Sequence, residues 1–338
     1  MENILDIFNE DAFSVTTLTA AISLVPNMYG RIGEMGLFGE EGISSIDIAL
    51  EQENGVLSIL PASERGGPAT KNKSGKRKVV TARVPHFNLE DTVLASAIQG
   101  VRGMRGEAQL QTVAGIINRR LIEMKRKHDI TKEWLRAGAL RGVVMDSDAS
   151  TLVNLFTLLG VTEKVVDFKL GTDATNMQAK IAEVKDRIEA ALLGDTMTGV
   201  GALCSRTWFD KFVNHKQVKE AYAHQVGINP NRDDLSDGFN FKGINFRVYV
   251  GNAPDAAGVS RKFIADGDVR FYPMGTSDTF RQYNAPADMI EYVNTIGLPF
   301  YASQERLDHG RGVELYTEMN TLPVVRRPGV LVRGHTSD

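Results

Sequence analysis

A single amphipathic stretch, Gly106 to Gly142, sets the terms for the rest of this chain. Leu110, Val113, Ile117, Leu121 and Met124 recur at spacings of three and four, which places them on one face of a 3.6-residue helix. Glu107 in the first turn suits the positive end of the helix dipole. The apolar phase continues through His128, Thr131 and Leu135 until Gly138 and Gly142 offer places to stop. A helix over 107–137 would run roughly 46 Å at about 1.5 Å per residue. No proline interrupts it and no heptad-and-charge pattern prolongs it. The expectation is therefore a spine laid across a sheet rather than a coiled coil.

Such a spine needs a core to lie on, and 338 residues, 42% of them apolar, supply one for about two domains. The single cysteine, Cys204, excludes an intrachain disulfide and a multi-cysteine zinc site, and reads as a small buried hydrophobe in a reducing compartment. No run of 18 apolar residues occurs, and Glu2, Asp6, Glu10 and Asp11 stand where a signal peptide would need positive charge. The expectation is a soluble chain with no membrane partner. A net charge of −3 argues against a dedicated DNA-coating protein. That charge is unevenly spread: residues 1–64 carry eleven acids and one arginine, whereas 65–86 carry seven Lys or Arg and no acid.

Along the chain, residues 1–42 alternate short apolar clusters with Gly30, Gly33, Gly36, Gly39 and Gly42, a glycine density unsuited to a regular helix. They read as an extended arm that packs on another chain. Ile46, Ile48 and Leu50 alternate as in a strand, Asn54-Gly55 signals a tight hairpin turn, and Val56 to Leu60 reads as the returning strand. Residues 61–78 form a glycine- and lysine-rich loop before a strand resumes at Val79. Beyond the spine, Val143–Met145 and Leu152–Leu159 flank a turn at Asp146–Ser150. A second amphipathic helix spans Asp173–Leu193, with Ile181, Val184, Ile188 and Leu192 in phase, and one or two shorter helices lie within Ser205–Gln225. Val165–Phe168, Phe246–Val250, Phe263–Ala265 and Val269–Tyr272 read as strands. The stretch from Phe300 to Val332, interrupted by Pro323 and Pro328, reads as edge strands returning to the first unit.

Motifs of chemistry are missing. HExxH, CxxC, GxSxG and the Walker loop are absent, and Ser74-Gly75-Lys76 lacks the first glycine and the following helix of a phosphate loop. Asp146 and Asp148 lack the further oxygen ligands of a calcium site and read as a plain turn. The six histidines form no ligand set and are expected at the surface or at helix ends. No catalytic residue, metal or cofactor is expected. Arg119, Arg120, Lys125, Arg126 and Lys127 on the spine read either as its solvated face or as a contact with a neighbour or with nucleic acid.

Four segments carry a resemblance: 14–38, 118–148 (NRRLIEMKRKHDITKEWLRAGALRGVVMDSD), 283–304 (YNAPADMIEYVNTIGLPFYASQ) and 323–332 (PVVRRPGVLV). They resemble the major capsid proteins of tailed bacteriophages, specifically the lambda-type capsid protein E family, and the resemblance runs in order along the chain. It implies the α+β Hong Kong 97-type capsid fold. The segments would then be an N-terminal arm (1–42), an extended β-hairpin loop (43–86), a peripheral domain (87–162 and 300–338) containing the spine at 107–137, and an axial domain (163–299). The implied function is that of the head protein, forming hexamers and pentamers of an icosahedral shell around double-stranded DNA, which it contacts without sequence specificity. A separate scaffolding protein, a portal and a decoration protein are implied partners. No lysine–asparagine cross-link is expected, since nothing identifies a partner for the loop lysines.

In that family the extended loop lies over an adjacent subunit. The basic tip (Lys71, Lys73, Lys76, Arg77 and Lys78) is therefore a candidate to meet acidic arm residues Glu34, Glu40 and Glu41 of another copy, the alternative being a solvated loop. Another phage structural protein, such as a tail tube or decoration protein, would be equally free of motifs but is not expected to carry the long helix. A cytosolic enzyme would need a convergent polar pocket, for which no motif is present.

Overall fold

The computed structural model describes Thr19 and residues 30–53, 77–98, 109–193, 195–225, 238–255 and 257–338. The fold divides into two compact units. The first gathers residues 1–48, 83–135 and 282–323, and the second gathers 49–82, 136–281 and 324–338.

The spine helix, Gln109–Arg141, belongs to the first unit as far as Leu135 and lies there on a five-stranded sheet. Ile117, Leu121 and Met124 are buried against Val93, Phe300, Ala302, Val313, Leu315 and Met319, so the apolar stripe meets strands as its period requires. The expected start at Glu107 and the stripe positions Leu110 and Val113 lie outside the residues whose side chains are described. The helix runs on beyond the expected end at Ala137. Gly138 stays helical against the backbone of Val143 and Val144, and Gly142, at φ +80°, is where the right-handed path stops.

The organiser of that sheet is the 14-residue strand Gly312–Val325. Tyr301–Arg306 pairs antiparallel with one edge of its first half, and His86–Leu94 pairs with the other edge over Gly312–Asn320. Phe280–Asn284 pairs with the second half of the strand and carries Gly39–Gly42 outside it. The expected edge strand is thus central. Pro323 is tolerated because the ladder to Phe280–Asn284 uses the alternate residues: Ala285 N donates to Asn320 O, and Arg326 N to Thr279 O. An odd-numbered position in that register owes no N–H to that neighbour.

The second unit is built on a six-stranded mixed sheet in the order Lys164–Asp167, Val332–His335, Asp268–Met274, Gly199–Cys204, Ile244–Val248, Phe239–Phe241. Val332–His335 therefore does not return to the first sheet, but sits parallel to Lys164–Asp167 and antiparallel to Asp268–Met274. Met177–Leu192 buries Met177, Ile181, Val184, Ile188 and Leu192; it begins later than Asp173 because Asn176 caps it, accepting from Ala179 N at 3.0 Å. Ser205 likewise caps Arg206–Asn214. Trp208 stacks on Phe212 at 4.9 Å between ring centroids and meets Phe168 edge-on at 5.2 Å, and Phe246 and Phe271 complete an aromatic core. Cys204 is fully buried in it, and burial pushes its thiol well above the ordinary range.

Other expectations change locally. Leu152–Leu159 splits into a strand, Thr151–Asn154, and a short helix, Leu155–Leu159, because Asn154 accepts from Thr157 N and starts the helix. Phe263–Ala265 is no strand; the pair is Asn252–Pro254 with Ser260–Lys262, and Phe263 and Ile264 are buried just after it. Asp47–Glu53 pairs with Arg77–Arg83, while the expected turn at Asn54-Gly55 and the strand Val56–Leu60 lie outside the described residues. Among the described residues no helix is long and apolar enough to cross a membrane.

Candidate subunit-contact site

The acidic candidates separate by environment. Glu40 and Glu41 stand on the edge strand Gly39–Gly42, whose four residues are all exposed, because glycine, acid, acid, glycine provides no side chain to bury. Glu40 is nevertheless held by its own chain: Lys132 Nζ donates to its Oε1 at 2.7 Å. Glu34 ends a single helical turn, Arg31–Glu34, and is exposed, as is Glu41. Of the basic candidates, Lys71, Lys73 and Lys76 lie outside the described residues, and Arg77 and Lys78 begin the Arg77–Arg83 strand.

The reason Glu40 is engaged lies on the spine. Past Met124 the buried stripe turns polar: Lys125, His128, Asp129, Lys132 and Glu133 are all buried. Lys125, expected on the solvated face or at a contact, and His128, expected at the surface or a helix end, are both carried inward by helical phase, one and two turns beyond Leu121. Lys125 pairs with Asp129 at 3.5 Å, and the ammonium groups of Lys125 and Lys132 lie 4.7 and 5.2 Å from the ring centre of Phe300. His128 Nε2 meets Thr317 Oγ1 at 2.9 Å. Its pKa falls to about 4 because burial disfavours the cation; the Thr317 bond opposes this and Lys125 adds to it. His215 is also buried, at the end of helix Arg206–Asn214.

Glu133 completes the arrangement. Its two carboxylate oxygens accept from Ile32 N at 2.7 Å and Gly33 N at 3.2 Å, and it fills the space where a side chain at Gly30 would stand. A carboxylate is thus supplied from 100 residues away to the N-terminal amides of the Arg31–Glu34 turn. Ile32 is buried beneath it, and Thr19 exchanges two hydrogen bonds with Ala302, donating to its O at 3.2 Å and accepting from its N at 3.0 Å. Residues 30–42, expected to lie on another chain, are therefore clamped to their own. An i, i+4 Lys–Asp pair and polar residues in phase with the apolar stripe were the signals available in the sequence.

The remaining spine cations do face solvent. Arg119, Arg120, Arg126 and Lys127 are exposed; Arg120 lies 3.6 Å from both Asp91 and Glu123, whereas Arg119, Arg126 and Lys127 have no ion pair among the described residues. The Asp146–Ser150 turn is a plain hairpin connection, with Ser150 N donating to Asp148 Oδ1. Among the described residues no group of three or more metal-ligating side chains converges.

A long helix over a sheet organised by one central strand, followed by a mixed-sheet unit, is the Hong Kong 97-type capsid fold. A crystal structure of a prophage protein from E. coli CFT073, described there as a capsid protein, superposes with a TM-score of 0.56 over 96% of this chain and 99% of that one, at 12% identity. The chain belongs to the phage major capsid protein E family, whose model matches residues 14–336. The major capsid protein of Pseudomonas phage KPP10 is 28% identical over 96% of this chain and 97% of its own length. That of Salmonella phage Felix O1 is 26% identical over 95% of each.

Proposed function

We propose that this chain is the shell subunit of a tailed-phage head, assembling as hexamers and pentamers into an icosahedral capsid around double-stranded DNA. The observation that carries this reading is the family match over residues 14–336, joined by two relatives named as major capsid proteins that align nearly end to end. Assembly would take place in the host cytoplasm with a separate scaffolding protein and a portal, and a decoration protein would bind outside. In this reading 1–42 is the arm, 43–86 the extended loop, 87–162 with 300–338 the peripheral domain and 163–299 the axial domain. The helix-on-sheet layer supports the peripheral assignment, and the aromatic six-stranded sheet supports the axial one. The pairing of Val332–His335 in that second sheet argues for moving 324–338 to the axial side.

For intersubunit pairing the basic tip at Lys71, Lys73, Lys76, Arg77 and Lys78 retains Glu34 and Glu41 as partners; Glu40 is available only at the expense of its bond to Lys132. Arg119, Arg126 and Lys127, cationic and without an ion pair among the described residues, suit either a contact with a neighbouring copy or a sequence-independent phosphate contact. Negative-stain microscopy of the purified chain, alone and with its scaffold, tests the whole reading. Shells or hexamers are expected. A compact monomer under every condition would sink it.

A further inference from the structure

The segment Asp288–Leu298, between the strands Phe280–Asn284 and Tyr301–Arg306, presents apolar side chains to solvent. Ile290 is 91% exposed, Ile296 70%, Val293 60% and Leu298 40%. Four large apolar side chains within nine residues form a patch, not the scattered exposure common on surfaces. Nor is the segment loose. Tyr292 turns inward against Tyr301, with ring centroids 4.7 Å apart, and Thr295 Oγ1 donates to Tyr292 O at 2.8 Å. Leu298 N donates to Tyr301 Oη at 2.6 Å and Gly297 N to Ile43 O at 2.9 Å, while Asp288 N donates to the buried Glu318 at 2.9 Å. A side chain at Gly297 would strike the backbone of Asn284 and Ala285. The patch is therefore displayed in a fixed shape, which lowers the ordering cost of binding.

We infer that the Asp288–Leu298 segment is a contact surface for a second copy of this chain, made head-to-tail. This deepens the shell reading and rests on it. The charges give the direction. The segment carries Asp288 and Glu291 and no Lys or Arg, and Gly42 packs on Ile296, bringing the exposed Glu41 alongside. Two such acidic-rimmed patches facing each other would set like charges together as the apolar area is buried, so a two-fold pairing of like surfaces is disfavoured. A cationic surface of another copy fits, and this chain carries exposed cations without an ion pair among the described residues in Arg119, Arg126 and Lys127. Contacts between unlike surfaces propagate around rings, as a capsomer requires.

The test uses the full chain carrying Ile290→Cys, in which Cys204 stays buried and the new thiol alone meets a polar maleimide. Subunits of this variant, diluted into wild type, are labelled before assembly and in shells freed of scaffold. The expected result is a labelling rate at least about tenfold slower in shells, as water-excluded interface cores require. Equal rates overturn the inference, as does protection that appears only while a scaffolding or decoration protein is bound. The double variant Ile290→Asp, Ile296→Asp is expected to unfold at the wild-type temperature yet form no shells, and wild-type yields would again overturn it. Should the aspartates prevent folding, the thiol rates still decide. Wild-type subunits that never form shells remove this contact together with the shell reading; shells with an unprotected thiol remove the contact alone.

Discussion

At the scale of single residues, the unusual investment is the set of charges buried on the spine. A buried ion pair is weak support for stability, since desolvation offsets much of the attraction. Here the charges also tie segments distant in sequence: Lys132 holds Glu40, and Glu133 holds the amides of Ile32 and Gly33. His128 gives this region a pH dependence. Its folded pKa of about 4 lies below the ordinary 6.5, so the unfolded chain binds the extra proton first as pH falls. Its contribution is constant above pH 6.5 and is lost as pH drops towards 4, a change of up to roughly 3 kcal/mol at about 1.4 kcal/mol per unit. Urea unfolding of His128→Gln should accordingly show a shallower fall in stability between pH 7 and pH 4.5 than wild type. At Gly142 the positive φ and the ring of Phe156 both exclude a side chain. Gly142→Ala should cost ~1–3 kcal/mol, read as a lowered urea midpoint with unchanged slope.

At the scale of elements, the spine and the Gly312–Val325 strand do most to define the first unit. Ile117 and Leu121, one turn apart and both buried, pack into the same cluster as Leu315 and Met319. Replacing either with Ala should cost about 2–5 kcal/mol, and the pair less than the sum, because neighbouring cavities relax together. Arg126→Ala on the exposed face should stay within about 0.5 kcal/mol of wild type. Thermal unfolding of the four variants checks this ordering, and shell yield should fall with the core variants alone. Equal effects on both faces would mean that the stripe is not what seats the helix.

At the scale of the molecule, charge asymmetry and exposed surface are what remain once the two cores are accounted for. If the acid-free segment 65–86 meets acids of another copy, Lys71→Glu, Lys73→Glu and Lys76→Glu together should slow assembly without lowering the unfolding temperature. Wild type in about 1 M salt, where screening shortens to roughly 3 Å, should show the same slowing. Light scattering during assembly measures both. Unchanged rates in salt and in the triple variant would leave the basic tip without a part in subunit contacts.

The helix–sheet architecture was legible because periodicity is a local property. A stripe at three- and four-residue spacing must bury itself wherever it lands, so Ile117, Leu121 and Met124, like Ile181, Val184 and Ile188, marked core faces before any partner was known. Caps and turns such as Asn176 or Asp146–Ser150 are also local, although whether a given Asn starts a helix depends on the residues it reaches. Family membership was legible for a different reason, since four ordered segments together are far more specific than any motif. Partners distant in sequence were not legible. That Glu133 would cap a turn at Arg31, that Lys132 would take Glu40, or that Val332–His335 would enter the second sheet depends on long-range pairing, whose energetics no window of sequence contains. The exposure of Ile290 and Ile296 belongs to the same class: apolar residues in a glycine- and proline-bounded loop look like core until Tyr292 and Gly297 fill the interior and leave them outside.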